Sequence, residues 1–432
     1  MICRQSAQPL NNLRDKACDD FTRMGFPTRK VEKYKYTDVD KAFAPDYGLN
    51  LNRLDIPVNP YEIFRCDVPN LSTRLYFLVN DQFYQGGKPS ESHLPDGVIV
   101  DSMRSVAERQ PQLLASYFAR QADTSSDALT ALNTMLSQDG IVVYVPRNTR
   151  LKQPLQIINL LHSSVDMMVN RRMLIILEEG AEATLLFCDH AMDKCRFLAT
   201  QVMEVFVADN GHLHLYELEE THTGCKRFAN TYVSMGNDST ANLNSMTLFN
   251  GETRNTTEVR MTGQGSELTM NGCVIADKNQ RVDNHTLIDH QAPHCISNQL
   301  YKYVVDDQAV AAFAGKVLVR KEALKTVSQE TNANLCATKE ARVYTQPMLE
   351  IYADDVKCSH GSTVGVLDEA ALFYMRQRGI AEAEARMLLK FAFVGQVIDR
   401  ITLQPLRDRM HYLVEKRFRG ELNKCMGCSL CK

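Results

Sequence analysis

Cys358 and His360 are the two residues whose types and spacing most directly suggest chemistry. They lie in LEIYADDVKCSHGSTVG, residues 349–365, which begins with strand-forming residues and closes on glycine. Two positions apart on an extended strand, their side chains point to the same face. A thiolate beside an imidazole can ligate a soft or borderline metal ion, or act as a nucleophile and its base. The alternative is a buried cysteine and a hydrogen-bonded histidine, and spacing alone does not separate these interpretations.

A second group of thiols stands near residue 432, in the pattern Cys425-x-x-Cys428-x-x-Cys431. This spacing is that of the run that opens a bacterial ferredoxin cluster motif, in which a fourth cysteine completes the ligand set. The pattern indicates transient binding of iron, zinc or a cluster, with a fourth ligand supplied from elsewhere. The alternative is a thiol-rich terminus with no assigned role.

Seven histidines lie between residues 190 and 294. Three of them fall with a cysteine inside eleven positions, and this set could supply metal ligands: His285, His290, His294 and Cys295. A metal site on strands needs three or four convergent ligands, and the irregular spacing gives no assurance of convergence. Polar ladders on the outer face of a repeat structure are the favoured interpretation.

Composition limits the classes of function. The 432 residues are 44% hydrophobic, and 49 basic against 52 acidic residues give a net charge of −3, which argues against binding to nucleic acid. No apolar run approaches the roughly 18 residues that cross a membrane, and the first twenty residues lack the apolar core of a secretory signal. The 13 cysteines are dispersed, as expected of buried thiols in a reducing compartment. We expect a cytoplasmic protein with no membrane contact.

The predicted secondary structure that positions these residues changes along the chain. Residues 1–138 form a mixed, mainly helical region, in which Ser125-Ser126-Asp127 offers an N-cap. Residues 25–39 within it are dense in Lys, Arg and Tyr, which by itself predicts a solvated turn and short helix. From 139 to 365, short β-type runs alternate with polar turns, and four turns carry Gly180, Gly211, Gly236 and Gly265 at spacings of 31, 25 and 29 residues. Such a period predicts a β-solenoid, with a β-sandwich as the main rival. Residues 366–424 return to a helical pattern, and residues 425–432 are a cysteine-rich tail.

Three segments together resemble the SufB/SufD family of iron–sulfur cluster assembly proteins. The first is residues 349–365, followed by FYMRQRGI at 373–380. The second is GFPTRKVEKYKYT at 25–37, which matches the family's Gly-x-Pro…Glu-x-Trp-Lys-Tyr-Thr element with Tyr34 in place of the tryptophan. The third is 313–335, in which Phe313, Gly315, Gln329 and Leu335 match, together with Asn332 or Asn334. The chain is identified as a member of that family over nearly its whole length.

The resemblance implies a right-handed parallel β-helix flanked by N-terminal and C-terminal helical domains. It implies a non-catalytic scaffold that pairs with a SufB-like paralogue and docks a SufC-type ATPase through its C-terminal helices. His360, with Cys358 beside it, would then face a nascent cluster or iron that is shared with the paralogue and not permanently bound by this chain alone. The SufB subunit usually has His-Glu where this chain has His360-Gly361, which favours the SufD branch.

Two other classes of function compete with the scaffold. One is a free-standing Cys/His enzyme, such as a thiol-dependent hydrolase or a polysaccharide-active β-helix. Polysaccharide-active β-helices usually line a groove with acidic and aromatic residues, and this chain has no tryptophan. An independent metal- or cluster-binding protein would use Cys425, Cys428 and Cys431, which lie outside the family pattern. A homodimer in the absence of the paralogue also remains open.

Overall fold

The computed structural model describes residues 3, 6–49, 51, 59–63, 72–86 and 94–421. The cysteine motif at Cys425, Cys428 and Cys431 lies outside these residues. None of the helices in the described ranges has the length and apolar character needed to cross a membrane.

A parallel β-helix of about eight turns, as the sequence predicted, forms the centre of the molecule. Successive strands of the chain alternate between two sheets, so a strand pairs in parallel with the strand two places before it and the one two places after it. One sheet contains the even-numbered strands β6 (Leu155–Leu161), β8 (Glu182–Ala191), β10 (His212–Glu220), β12 (Thr240–Phe249), β14 (Glu267–Ala276), β16 (Ile296–Val305), β18 (Val327–Cys336) and β20 (Lys357–Gly365). The other contains the odd-numbered strands β5 (Ile141–Val145), β7 (Met167–Leu177), β9 (Phe197–Val207), β11 (Cys225–Met235), β13 (Glu252–Met261), β15 (Arg281–His290), β17 (Val310–Val319) and β19 (Arg342–Ile351).

The remaining elements flank the β-helix. The described strands outside it are β1 (Gly48–Leu49), β2 (Arg74–Val79), β3 (Gln82–Phe83) and β4 (Ile99–Ser102). The N-terminal helices are α1 (Gln8–Met24), α2 (Val39–Phe43), α3 (Pro60–Ile63), α4 (Met103–Arg109), α5 (Pro111–Tyr117) and α6 (Ala128–Leu136), with a 3-10 turn at Glu32–Tyr34. The C-terminal helices are α7 (Glu369–Gln377), α8 (Glu382–Ile398) and α9 (Gln404–Phe418).

Stacks of identical or similar side chains hold successive coils together. Val233, Val259, Ile288 and Val317 occupy equivalent positions on β11, β13, β15 and β17, and all four are fully buried. Each such side chain contributes about 1.5–3 kcal/mol when it leaves water. Because a single coil cannot bury this face alone, the coils are stable only when stacked.

The turns repeat one backbone conformation from coil to coil. Seven residues about 30 positions apart have a left-handed backbone, and each donates its N–H to a carbonyl of the next coil: Asn148, Gly180, Asn210, Asp238, Gly265, His294 and Lys325. Glycine and asparagine adopt this conformation at low cost. Gly180 and Gly265 therefore belong to the repeat that their spacing indicated, whereas Gly211 and Gly236 stand beside the left-handed position.

The N-terminal region closes the first coil and covers one outer face. Strand β2 pairs in parallel with β6, while β4 pairs antiparallel with β5. Asp127 caps α6 by accepting from the Thr130 N–H at 2.9 Å, which confirms the N-cap read from the sequence. Leu129 and Leu132 of α6 pack with Met168 of β7, on the outside of the odd-numbered sheet.

The C-terminal helices α8 and α9 pack along the outer face of the even-numbered sheet. Val394, Ile398, Met410 and Val414 share a buried cluster with outward-facing residues of the sheet such as Leu300. The Tyr216 hydroxyl lies 2.8 Å from the Thr402 hydroxyl, which joins the start of α9 to β10. These two helices cover a side of the β-helix, so the coil that contains β20 remains open.

Candidate functional site

The last coil leaves two strand edges without a neighbour. Among the described residues, β20 pairs only with β18, and β19 pairs only with β17. The backbone N–H of Lys357 donates to the Thr326 carbonyl, so odd-numbered residues of β20 face β18. The even-numbered residues therefore turn their backbone groups to the free edge, because groups alternate along a strand. This edge could accept a strand from a partner.

Cys358 and His360 lie on this edge strand, on the same face. Their register partners on β18 are Ser328 and Glu330, whose side chains point into the β-helix. Cys358 is half-buried against the core, and His360 is exposed at the mouth of the interior. Burial raises the pKa of the Cys358 thiol, and a hydrogen bond with the Ser328 backbone opposes that shift.

The described residues contain no group of three histidine, cysteine, aspartate or glutamate side chains placed to hold a metal ion. Cys358 and His360 would by themselves leave iron or zinc under-coordinated, because such ions take four or more ligands. At Gly361 an added Cβ would meet no atom within 4 Å. Lack of space therefore does not explain why this chain has glycine where the His-Glu pattern has glutamate. The proposed ligand role of the pair stays a prediction.

Apolar side chains are concentrated around the open end. Of the large hydrophobic residues that are exposed in the described ranges, half belong to the last coils and the segment after them: Leu324, Val327, Tyr344, Ile351, Tyr352, Val364 and Val366. Val366 is 73% exposed and Tyr352 is 63% exposed. Concentration of apolar surface at one place is typical of a protein interface.

The segment 28–37 lies across the outer face of the odd-numbered sheet and reaches β19. We expected a solvated turn there, and this was wrong for Lys33 and Tyr34. The Lys33 ammonium lies 3.2 Å from the Asp127 carboxylate, and the Tyr34 hydroxyl donates to the same carboxylate at 2.7 Å. The Tyr36 ring stacks on Tyr344 of β19 with the ring centroids 4.7 Å apart. The segment fixes the N-terminal region to the last complete coil.

Asp127 is the centre of that attachment. Burial would raise the pKa of Asp127, but the Lys33 charge and hydrogen bonds from Tyr34 and Thr130 outweigh it and hold the pKa below its usual range. Asn230 of β11 donates a further hydrogen bond to this carboxylate at 2.8 Å. The family element at 25–37 therefore has a structural role in this chain.

The other histidine candidates do not converge. His285 and His290 lie at positions of opposite parity on β15, so they face opposite sides of the sheet. His294 occupies the left-handed turn position, and Cys295 is buried and hydrogen-bonded to Ser266. These residues form no metal site in the described part of the chain.

The interior of the β-helix is polar along much of its length, which the sequence analysis missed. In the first coils Arg171 pairs with Asp189 at 2.5 Å, and Arg227 pairs with Asp189 at 3.2 Å and with Glu217 at 3.3 Å. Burial raises the pKa of Glu219 to about 7, although Arg227 favours its ionised form. A small cavity between these groups and Tyr301 holds about 10 Å³.

Near the open end, the interior contains a carboxyl without a partner. Glu330 of β18 is 1% exposed, and neither of its side-chain oxygens has a hydrogen-bond partner among the described residues. No cationic side chain of the described residues lies beside Glu330, and burial raises its pKa to about 8. In the sequence, VSQETNANLC places polar residues on both faces of the strand, so nothing marked Glu330 as buried.

Comparison with known proteins agrees with these features. Residues 160–393 match the family model described as SUF system FeS cluster assembly, SufBD core domain, and residues 1–157 match the SufBD protein N-terminal region. The iron–sulfur cluster assembly protein SufD of Escherichia coli is 30% identical over 92% of this chain and 90% of its own length. An iron–sulfur cluster assembly SufBD family protein of Synechocystis is 29% identical over 94% of this chain and 91% of that protein. The SufD protein of Bacillus subtilis is 24% identical over 94% of both chains.

The chain has a parallel β-helix with flanking helices, and it matches both family models. It therefore belongs to the SufBD family of the SUF iron–sulfur cluster assembly system.

Proposed function

We propose that this chain is a non-catalytic scaffold subunit that pairs with a SufB-type paralogue through the open end of its β-helix. The observation that carries the proposal is the free edge of β20, which bears His360 and adjoins the free edge of β19. Natural proteins seldom leave such edges uncovered, because unpaired N–H and C=O groups recruit other strands. The exposed apolar residues around this end support the same interface.

The cargo would be a nascent iron–sulfur cluster or iron, held at the junction of the two subunits. His360 would contribute an imidazole and Cys358 a thiolate, and the paralogue would supply the ligands that this chain lacks. The composite arrangement agrees with the absence of a three-ligand group among the described residues. Binding would be transient, since neither subunit alone completes the coordination.

The C-terminal helices would dock a SufC-type ATPase, and the complex would act in the cytoplasm. Phe373 and Tyr374 of α7 are 62% and 60% exposed, and α7 begins four residues after β20 ends. A movement of α7 driven by ATP would therefore act directly on the strand that carries His360. We infer that this connection opens or closes the cluster site.

The test is a proline substitution at the free edge. The Ser362 N–H faces away from β18 by the alternation along β20, so Ser362→Pro removes a donor at the free edge without breaking the pairing with β18. We expect Ser362→Pro to reduce co-purification with a co-expressed SufB-type paralogue at least tenfold. Binding of the ATPase should be unchanged.

Ser362→Ala is the matched control, because it removes the hydroxyl and keeps the N–H. It should co-purify with the paralogue at the wild-type level. Retention of the paralogue by Ser362→Pro, with an unchanged circular dichroism spectrum, would contradict pairing through this edge.

A further inference from the structure

One buried column of side chains leads inward from His360. His360 of β20, Glu330 of β18, Gln299 of β16 and Met270 of β14 are register partners in successive coils. All four lie on the inward face of the even-numbered sheet, and neighbours in the column are about 4.8 Å apart along the axis of the β-helix. The column therefore extends from the open end of the β-helix into its interior.

Two members of the column present oxygen atoms without partners. Both carboxyl oxygens of Glu330 and the Gln299 Oε1 atom are buried and lack a hydrogen-bond partner among the described residues. Gln299 is 2% exposed and uses its Nε2 group to donate to the Thr286 hydroxyl at 2.7 Å. Unpartnered buried acceptors are rare in folded proteins, and each one calls for a ligand, a water or an ion.

Both side chains cross the interior in the same direction. Gln299 reaches Thr286 of β15, and Glu330 reaches Gly315 of β17, which is the register partner of Thr286. The two head groups therefore end at adjacent positions on the opposite sheet, one coil apart. A metal–oxygen bond of 2.0–2.6 Å from each side would span a gap of about one strand spacing.

Gly315 makes room for the carboxyl group. A Cβ at this position would overlap the Glu330 side chain and would also approach the Phe313 ring. Every other L-residue would displace the carboxyl from its present place. The absent side chain thus forms the cradle in which the Glu330 oxygens lie.

The cradle is one coil below the end of the β-helix. Above it, the even-numbered sheet has only β20, and no described strand follows β19 in the odd-numbered sheet. Thr345 of β19, the register partner of Phe313, lies one coil above the cradle, and its buried hydroxyl has no partner among the described residues. An ion could therefore pass beside His360 to reach Glu330.

We propose that Glu330 and Gln299 form an inner site for a divalent cation, directly beneath His360, in which water molecules fill the remaining coordination positions. Carboxylate and amide oxygens suit Mg²⁺, Mn²⁺ and ferrous iron, and disfavour the soft ions that thiolates select. A bound cation would neutralise the Glu330 carboxylate, which has no cationic side chain beside it among the described residues. Identification of the physiological ion as ferrous iron, held one coil from the cluster position, rests on the proposed function.

The test uses Mn²⁺ as the probe and the full-length chain without its partners. Electron paramagnetic resonance measures the free Mn²⁺, and the bound Mn²⁺ is the difference from the total added. Mn²⁺ is suitable because it prefers oxygen donors to cysteine thiolates. We expect one Mn²⁺ per chain, at least tenfold weaker binding for Glu330→Gln, and at least threefold weaker binding for Gln299→Leu. His360→Ala should bind within twofold of wild type, because the inner site is separate from the exposed imidazole.

Glu219→Gln is the matched control, since Glu219 is another buried glutamate of the interior but has hydroxyl partners in Thr247 and Thr253. It should also bind within twofold of wild type. The inner site is wrong if wild type binds no Mn²⁺, if both Glu330→Gln and Gln299→Leu bind normally, or if His360→Ala loses the ion. The Mn²⁺ measurements use the chain without its paralogue. The result of the Ser362→Pro pairing test therefore does not affect them, and the two proposals can fail separately.

Discussion

The first coils and the last coils of the β-helix treat buried polar side chains in opposite ways. Around Arg227, every interior charge has a partner: Asp189 on one side, and Glu217 and Glu219 on the other. Around Glu330, one coil from the open end, the carboxyl oxygens have none within the described ranges. Both groups lie in the same kind of parallel coil, so the fold alone does not explain the difference.

The difference distinguishes buried polar groups that stabilise the fold from buried polar groups that are available to bind a ligand. A fully paired buried network makes one arrangement of the coils specific, and removal of one member leaves a charge uncompensated. An unpaired buried acid reduces stability and is kept when something outside the chain completes it. By this criterion the charges around Arg227 are compensated within the chain, whereas the Glu330 carboxyl has no compensating group among the described residues.

The largest expected effect follows from breaking the paired network. Arg227→Ala leaves Glu217 and Glu219 buried without their cation and leaves Asp189 with Arg171 alone, so it should lower the free energy of unfolding by about 3–5 kcal/mol. Urea denaturation followed by circular dichroism measures this change. Arg150→Ala is the control, since its exposed pair with Glu182 contributes about 0–1 kcal/mol. Equal losses in the two variants would remove the contrast between paired interior and surface.

The second prediction is a gain in the free energy of unfolding, and the size of this gain depends on pH. The folded-state pKa of Glu330 is raised from 4.5 to about 8, so the native state retains a proton that the unfolded chain releases above pH 4.5. The wild type therefore loses stability as the pH rises from 4.5 to 8, in the absence of metal. Glu330→Gln abolishes that loss and should gain on the order of 3–5 kcal/mol over wild type at pH 9, with little gain at pH 4.

Denaturation curves of the two proteins between pH 4 and pH 9 test this prediction. The neighbours of Glu330 in register are Gln299 and His360, and Gly315 lies opposite, so His360 is the other ionisable side chain in the column. His360→Ala in the Glu330→Gln background isolates its contribution. Parallel pH profiles for wild type and Glu330→Gln would show that the carboxyl is not held neutral.

A smaller effect is expected where the N-terminal segment is attached. Tyr34→Phe removes the hydrogen bond to Asp127 while keeping the ring under Arg254, and it should cost about 1–2 kcal/mol. Tyr36→Phe keeps the ring that stacks on Tyr344 and should cost little. The comparison is made by thermal unfolding. A loss for Tyr34→Phe no larger than that for Tyr36→Phe would contradict a stabilising role for the Tyr34 hydroxyl.

The smallest effect on stability should accompany the largest on cluster assembly. His360 is exposed on an edge strand, so His360→Ala should change the free energy of unfolding by less than about 0.5 kcal/mol. With the paralogue and the ATPase present, iron and sulfide content after anaerobic assembly should fall sharply while the subunits still co-purify. Normal iron loading of this variant would contradict a ligand role for His360.

The repeat architecture could be predicted from sequence because its signals are local. Left-handed turn residues such as Gly180 and Gly265, and alternation within each strand, need no knowledge of distant contacts. The common face of Cys358 and His360 followed from their spacing for the same reason. Their role as ligands is a prediction that the geometry accommodates and that the experiments above address.

Features that depend on contacts distant in the sequence were missed. Lys33 and Tyr34 in a run of charged residues indicated a solvated turn, yet their partner Asp127 is more than 90 residues away. Glu330 lies in a strand with polar residues on both faces, so its burial depends on which face the neighbouring coils enclose. The side-on packing of α8 and α9 depends on outward apolar residues spread over several coils.

The coil-to-coil pairing also has a consequence for how the chain acquires its structure. Ser297, Ser328 and Cys358 occupy equivalent positions in successive coils, 31 and 30 residues apart, so each new strand closes a loop of similar, modest length. Folding can therefore advance one coil at a time behind the ribosome, with each finished coil as the template for the next. In that order of folding, the edge that bears His360 forms last, and a chain presents it only after the preceding coils have formed.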